Sequence, residues 1–137
     1  YMLIHESRLE QFMDEFKKYF KHAFNNNENN ESGKIVNSFH YRRLCSMLED
    51  HGGEVLMGNP NAHADQKLEL TVIKNPKRGS KCLTEEIFGT ILPVLTYKHF
   101  DEVISYITTE QEKPLALYFF GPRNGPNQHS ILKVPIF

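Results

Sequence analysis

Glu85 and Glu86 place two carboxylates side by side ahead of Ile87-Phe88-Gly89-Thr90, directly before the apolar run Ile91-Leu92-Pro93. A carboxylate in that position can accept hydrogen bonds from sugar hydroxyls, and an aromatic ring two residues on can wall a flat ligand. In open α/β sheets ligands bind outside the carboxyl ends of strands, where loops supply the polar groups. A purely structural arrangement uses the same residues differently. Glu85 and Glu86 would cover the first turn of a short helix, where carboxylates favour the positive dipole end. Phe88 would then pack under the following strand, and Gly89 would permit a close approach. Spacing alone leaves both arrangements open.

Other reactive groups offer less. Cys45 falls in a helical pattern on or near its buried face, where a thiol is inert. Cys82 is expected to be more exposed, beside Lys81, which would lower its pKa, but no His or Asn is placed to serve it as a base. Two reduced structural thiols are expected, with a single disulfide as the alternative. His5-Glu6-Ser7 brings a nucleophile type next to a base type, yet Ser7 is better explained as a helix cap. The seven histidines show no metal-ligand spacing, and His22 and His40 are expected to be solvated on helices. No metal site is expected. Neither G-x-G-x-x-G nor G-x-x-x-x-G-K-[ST] occurs, so no phosphate cradle is legible.

Elements able to position these groups emerge from periodicity. Tyr1 to Ile4 suits a strand. Ser7-Arg8-Leu9-Glu10 has the form of a capping box, and Leu9, Phe12, Met13, Phe16, Phe20, Ala23 and Phe24 form one helical stripe. Asn25 to Asn30 is a polar low-complexity loop. A second helix is expected from Asn37 or Ser38, with Phe39, Leu44, Met47 and Leu48 inward and Gly52-Gly53 as its left-handed stop. Val55 to Met57 and Leu68 to Ile73 suit strands, the latter with one wetter face. Ile91 to Leu95 and Leu115 to Phe120 are continuous apolar runs, as in parallel strands covered on both faces. Phe100, Val103, Ile104 and Ile107 mark a helix between them, giving a βαβ unit. The expected fold class is α/β, a largely parallel sheet with flanking helices.

With 137 residues, 39 % hydrophobic and 24 % charged, one soluble globular domain is the natural expectation. A net charge of -1 without a Lys/Arg block argues against nucleic acid or an anionic membrane as partner. No apolar run approaches the ~20 residues of a membrane span, and Tyr1 to Glu6 lacks the basic start of a signal peptide.

Glu85-Glu86-Ile87-Phe88-Gly89 followed by Ile91-Leu92-Pro93 resembles the E-E-x-F-G-P-[IV] motif of the aldehyde dehydrogenase superfamily. The flanks are similar to its class 3 branch, which includes fatty aldehyde dehydrogenases. Gly33-Lys34-Ile35-Val36-Asn37, Phe39-His40-Tyr41-Arg42-Arg43-Leu44, His51-Gly52-Gly53 and Lys113 to Tyr118 carry that likeness in order. The resemblance covers roughly residues 1–120, which it marks as a partial catalytic domain, leaving 121–137 as a divergent tail of unknown structure. It implies oxidation of an aldehyde to a carboxylic acid with NAD or NADP as hydride acceptor. A cysteine thiolate forms a thiohemiacetal, hydride leaves, and activated water hydrolyses the thioester. Carried over by motif, Glu86 would hold the nicotinamide ribose and Phe88 would lie against the nicotinamide. The resemblance also implies an aldehyde substrate, a homodimer in the intact enzyme, docking against the rest of the parent chain, and a cytoplasmic location or one at a membrane face.

The departures have consequences. Tyr1 is similar to the last residue of the family's G-Q-x-C-x-A-P-D-Y motif, which would put the nucleophile a few residues upstream. The glutamate base and cofactor domain would lie further upstream. This chain alone is therefore expected to be inactive, with neither Cys45 nor Cys82 inheriting the nucleophile's role. Thr90 stands where the motif has proline, restoring an N–H and loosening φ. That change fits a second reading, a degenerate non-catalytic relative acting as a structural or binding subunit. An unrelated α/β domain would not carry these motifs in order.

Overall fold

The computed structural model describes residues 1–25, 33–61, 63–110, 116–122 and 125. The chain divides into two units, residues 1–96 and 97–137. The first is built on a four-stranded sheet ordered β1-β6-β5-β2, from β1 (Met2–His5), β2 (Glu54–Met57), β5 (Thr71–Lys74) and β6 (Ile91–Tyr97), the last crossing the unit boundary. β5 and β6 run parallel with Thr71 opposite Ile91, whereas β2 runs antiparallel to β5. The sheet is therefore mixed, and its parallel pair corrects the expectation. β6 pairs with β5, whose Thr71, Val72 and Ile73 are buried where the sequence predicts one wetter face, and not, among the described residues, with 116–120. Even-numbered residues on β5 and β6 share one face. Val72 and Val94 there enclose Met13, with Phe12 and Phe16 packed around them, so α1 (Leu9–Asn25) covers that face. Thr71, Ile73, Ile91, Pro93 and Leu95 on the odd face are also buried, as a doubly covered sheet requires.

Pro93 sits in a central strand, where the missing N–H is normally a liability. The carbonyls of Thr90 and Val94 accept from Thr71 and Asn75. Even-numbered backbone groups thus serve the β5 side, and the donor absent at Pro93 falls on the β1 side.

Several expectations are corrected. Ser7 does not open α1. It lies in a 3-10 turn (Glu6–Arg8) whose cap is His5, with His5 Nδ1 accepting from Ser7 N–H. α2 (Ser38–Glu49) does begin as expected: Asn37 Oδ1 accepts from His40 N–H at 2.9 Å. Leu44, Met47 and Leu48 are buried, but Phe39 is 65 % exposed. Five residues from Leu44 at about 100° each turn it to another side of the helix.

The strand expected over residues 68–73 is broken in two. β4 (Lys67–Leu68) pairs with β3 (His63–Ala64) through Asp65-Gln66, both at positive φ as a tight hairpin turn requires. Only after the exposed Glu69 does the chain enter β5.

In the second unit, α4 (Phe100–Ser105) leads into a π-helical turn (Tyr106–Glu110), with Val103, Tyr106 and Ile107 buried. The strand expected over Leu115 to Phe120 is not formed among residues 116–120. Tyr118 and Phe120 there are exposed, without a ladder partner among the described residues. Leu115, most of the tail and the polar stretch Asn26 to Asn30 lie outside the described residues. Among the described residues, no helix is long and apolar enough to cross a membrane.

Candidate functional site

A one-turn helix, α3 (Lys81–Thr84), uses up the helical part of the opening motif before its carboxylates arrive. Ser80 precedes it in extended conformation, and the Ser80 carbonyl accepts from Leu83 N–H and from the Thr84 hydroxyl. Glu85 then leaves the helix with φ -117° and ψ 152°. The two glutamates consequently follow a helix rather than starting one, which overturns the dipole explanation of their presence. Both are exposed.

Phe88 is the second surprise. Instead of packing under β6 it is 77 % exposed, at φ +42°. A bulky residue in left-handed conformation carries strain and persists only where its surroundings over-determine it. Here they do. Arg43 of α2 donates from Nη1 to the Glu86 carbonyl at 2.7 Å and from Nη2 to the Ile87 carbonyl at 2.5 Å. Past Phe88, Gly89 lies so close to the fully buried Leu44 that a Cβ there would fall 2.5 Å from Leu44 Cδ1. Thr90 then donates its hydroxyl to the Leu68 carbonyl at 3.1 Å, and its own carbonyl accepts from Thr71 N–H at 2.9 Å. Glu86 and Phe88 thus share one outward-facing loop, pinned on both sides of the ring.

The cysteines are no match for a nucleophile. Cys82, expected to be exposed, is 3 % exposed, and its thiol lies 3.4 Å from the Ser80 hydroxyl. Burial pushes its pKa up despite that hydrogen bond. Lys81 does not offset this; its Nζ reaches the Ser46 hydroxyl at 3.2 Å. Cys45 lies on α2, half-buried, with its pKa raised first by burial and then by Glu49, while a hydrogen bond with Tyr41 pulls the other way. Neither cysteine is in a disulfide. His5 Nδ1 and Ser7 Oγ stand 2.8 Å apart, as partners in the turn they cap. No group of three potential metal ligands occurs among the described residues.

Arg43 escapes a sequence reading. Its partners are 43 and 44 residues away and are backbone atoms, so no side-chain type in the sequence announces the contact.

With this geometry in place, likeness to known proteins can be stated. The model of the aldehyde dehydrogenase family matches residues 1–112. The 4,4'-diaponeurosporen-aldehyde dehydrogenase of Staphylococcus aureus is 33 % identical over 133 residues, 96 % of this chain and 29 % of that protein. Aldehyde dehydrogenase family 3 member A2 of Pongo abelii is 33 % identical over 135 residues, 97 % of this chain and 26 % of that one. Among solved structures, the substrate-bound state of Staphylococcus aureus AldH aligns with a TM-score of 0.81 at 33 % identity, covering 97 % of this chain and 29 % of that one. A 3,6-anhydro-L-galactose dehydrogenase in complex with NAP aligns with a TM-score of 0.62 at 27 % identity, over 79 % of this chain and 25 % of that one. The chain thus spans less than a third of the length of these relatives. The family match over residues 1–112, the relatives a third identical over nearly the whole chain and the shared fold agree: this chain belongs to the aldehyde dehydrogenase family, on its class 3-like side.

Proposed function

We propose that this chain is the part of an NAD(P)-dependent aldehyde dehydrogenase that holds the nicotinamide end of the cofactor, with Glu86 on the ribose and Phe88 against the ring. The observation that carries this is the loop itself: an exposed carboxylate and an exposed aromatic, two residues apart, on a backbone tied down by Arg43 and Thr90. The donor set fits the ligand. A carboxylate with two free oxygens accepts from two vicinal hydroxyls, and an exposed ring offers a flat apolar wall to a flat heterocycle. NAD or NADP, when bound, would supply the hydride acceptor. Glu86 would orient the ribose, and Phe88 would restrict the ring's tilt and exclude water from one side.

In this reading the thiolate that attacks the aldehyde, and its general base, come from segments outside the 137 residues: neither Cys45 nor Cys82 sits in the family's nucleophile motif, and burial of Cys82 beside Ser80 disfavours its thiolate. The chain by itself would then give no turnover. Residues 1–120 would form part of the catalytic domain and 121–137 a divergent tail; the intact enzyme would be a homodimer in the cytoplasm or at a membrane face. The degenerate-relative alternative drew on Thr90, but its hydroxyl anchors the same loop that a proline would stiffen. That substitution therefore gives no support to lost function.

The test is a cofactor titration of the full-length protein and of Glu86→Gln, together with aldehyde-dependent NAD(P)H formation. Removing a charge-assisted acceptor should weaken cofactor binding about ten- to hundredfold. Unchanged affinity in Glu86→Gln would remove the ribose assignment. NADH formation by the isolated 137 residues would sink the claim that the nucleophile lies elsewhere.

A further inference from the structure

We infer that Arg43 is the positioning residue of the cofactor loop: its guanidinium fork holds two successive carbonyls so that Glu86 and Phe88 present outward. This rests on the proposed role of that loop. Three observations converge on it. The fork donates from separate nitrogens to the carbonyls of Glu86 and Ile87, at 2.7 and 2.5 Å, an arrangement open to a planar guanidinium and not to a single ammonium. The base of the fork is fixed as well. Arg43 is half-buried on α2, with Nη1 3.9 Å from the sulfur of the fully buried Met47 and its neighbour Leu44 sealed in the core. The residue immediately after the clamped pair is Phe88, at φ +42° and exposed, so its own side chain contributes little burial to hold that conformation.

Arg43 would therefore act on the cofactor through the backbone. Without the fork, the carbonyls of Glu86 and Ile87 would turn to water and Phe88 would relax toward negative φ. Ring and carboxylate would then lose their fixed relation. The loop would remain attached at Gly89 and Thr90, so β5 and β6 need not change.

Two variants of the full-length protein, Arg43→Leu and Arg43→Lys, test this with cofactor-free and cofactor-dependent readouts. Without cofactor, chymotrypsin should cut after the exposed Phe88 about ten- to hundredfold faster in both, while β5 and β6 stay intact. Lysine should restore little, because it can serve only one carbonyl well. With cofactor, KM for NAD(P) should rise while KM for the aldehyde stays, and NADH should bind more weakly. Combined with Glu86→Gln, Arg43→Lys should add less than its loss as a single variant, since the part that runs through the carboxylate is already disabled and only the part through Phe88 remains. Unchanged cleavage at Phe88 in both variants would overturn the inference, as would full additivity with Glu86→Gln. Faster cleavage at Phe88 beside an unaffected Glu86→Gln titration would uphold the clamp and remove the ribose assignment instead.

Discussion

Gly89→Ala tests how the loop is seated, and its effect can be worked from the structure. A Cβ built at Gly89 meets Leu44 Cδ1 at 2.5 Å, Cδ2 at 2.6 Å and Cγ at 3.1 Å. Carbon atoms in contact prefer about 3.5–4.0 Å, so both methyls would be overlapped by about 1 Å. Leucine methyls at a surface could swing aside, but Leu44 is fully buried. Overpacking of this kind costs about 1–3 kcal/mol, against which alanine returns about 0.4–1 kcal/mol by restricting the unfolded chain. Gly89→Ala should therefore destabilise by roughly 1–2 kcal/mol. Leu44→Ala alone should cost about 2–5 kcal/mol through the cavity it leaves. In the double variant the new Cβ enters space vacated by the leucine methyls. Its total loss should fall short of the sum of the single losses by about 1 kcal/mol. Urea unfolding of the four proteins, with unchanged m values, measures this directly. Additivity within about 0.5 kcal/mol would refute the reasoning, as would a Gly89→Ala protein as stable as its parent.

Phe88→Asn should stabilise the fold by about 0.5–1 kcal/mol, because asparagine tolerates the left-handed region that costs other residues about 1–2 kcal/mol. The same change should weaken NAD(P)H binding, so urea unfolding and a cofactor titration should move in opposite directions; a destabilised variant would contradict the strain. Thr90→Val keeps the branched shape and deletes the hydroxyl donated to Leu68, and a loss of about 0.5–1.5 kcal/mol is expected on unfolding. Its neutrality would show that this hydrogen bond anchors nothing. In the second unit, the Glu102 carboxylate accepts from the N–H groups of His99 and Lys98, which hold its pKa below the ordinary glutamate value. Its contribution to stability is therefore complete above the unfolded glutamate pKa near about 4.3 and is lost as pH falls through the lower folded value. NMR titration of Glu102 should give a midpoint below that of a free peptide, and one at or above it would remove the assignment.

What the sequence reveals and what it hides divide along range. α1 is legible because its stripe repeats within the helix, and the start of α2 is legible because Asn37 caps it from three residues away. The burial of β6 on both faces follows from its continuous apolar run, whereas its parallel partner β5, three residues of which are buried where the sequence predicts one wetter face, is set by pairing that the run does not encode. Phe88 fails the same logic. An aromatic beside a strand is ordinarily core, and its exposure here depends on contacts from Arg43, Leu68 and Thr71 that no local pattern encodes. Cys82 fails for a related reason: a four-residue helix is too short to show a face, so its burial depends on what packs over it. The motif identifies Glu86 and Phe88 through resemblance. Arg43 falls within the likeness segment Phe39 to Leu44, but nothing there announces the two carbonyls it holds.

Threonine at position 90 can now be set against the proline of the family motif in physical terms. Proline would restrict φ covalently but could not donate to the Leu68 carbonyl. Threonine leaves φ softer and restores restraint through its side chain and through the bond from Thr71. The loop's attachments thus run to Arg43 and Leu44 on α2, Leu68 at the end of β4 and Thr71 at the start of β5. Three of those four residues are buried. Phe88 lies between the attachments with its ring exposed, and the loop takes its rigidity from the core beneath it. Core substitutions at Leu44 or Thr71 should therefore reach cofactor affinity without any contact to the cofactor. A loop resting only on solvent-exposed neighbours would show no such coupling.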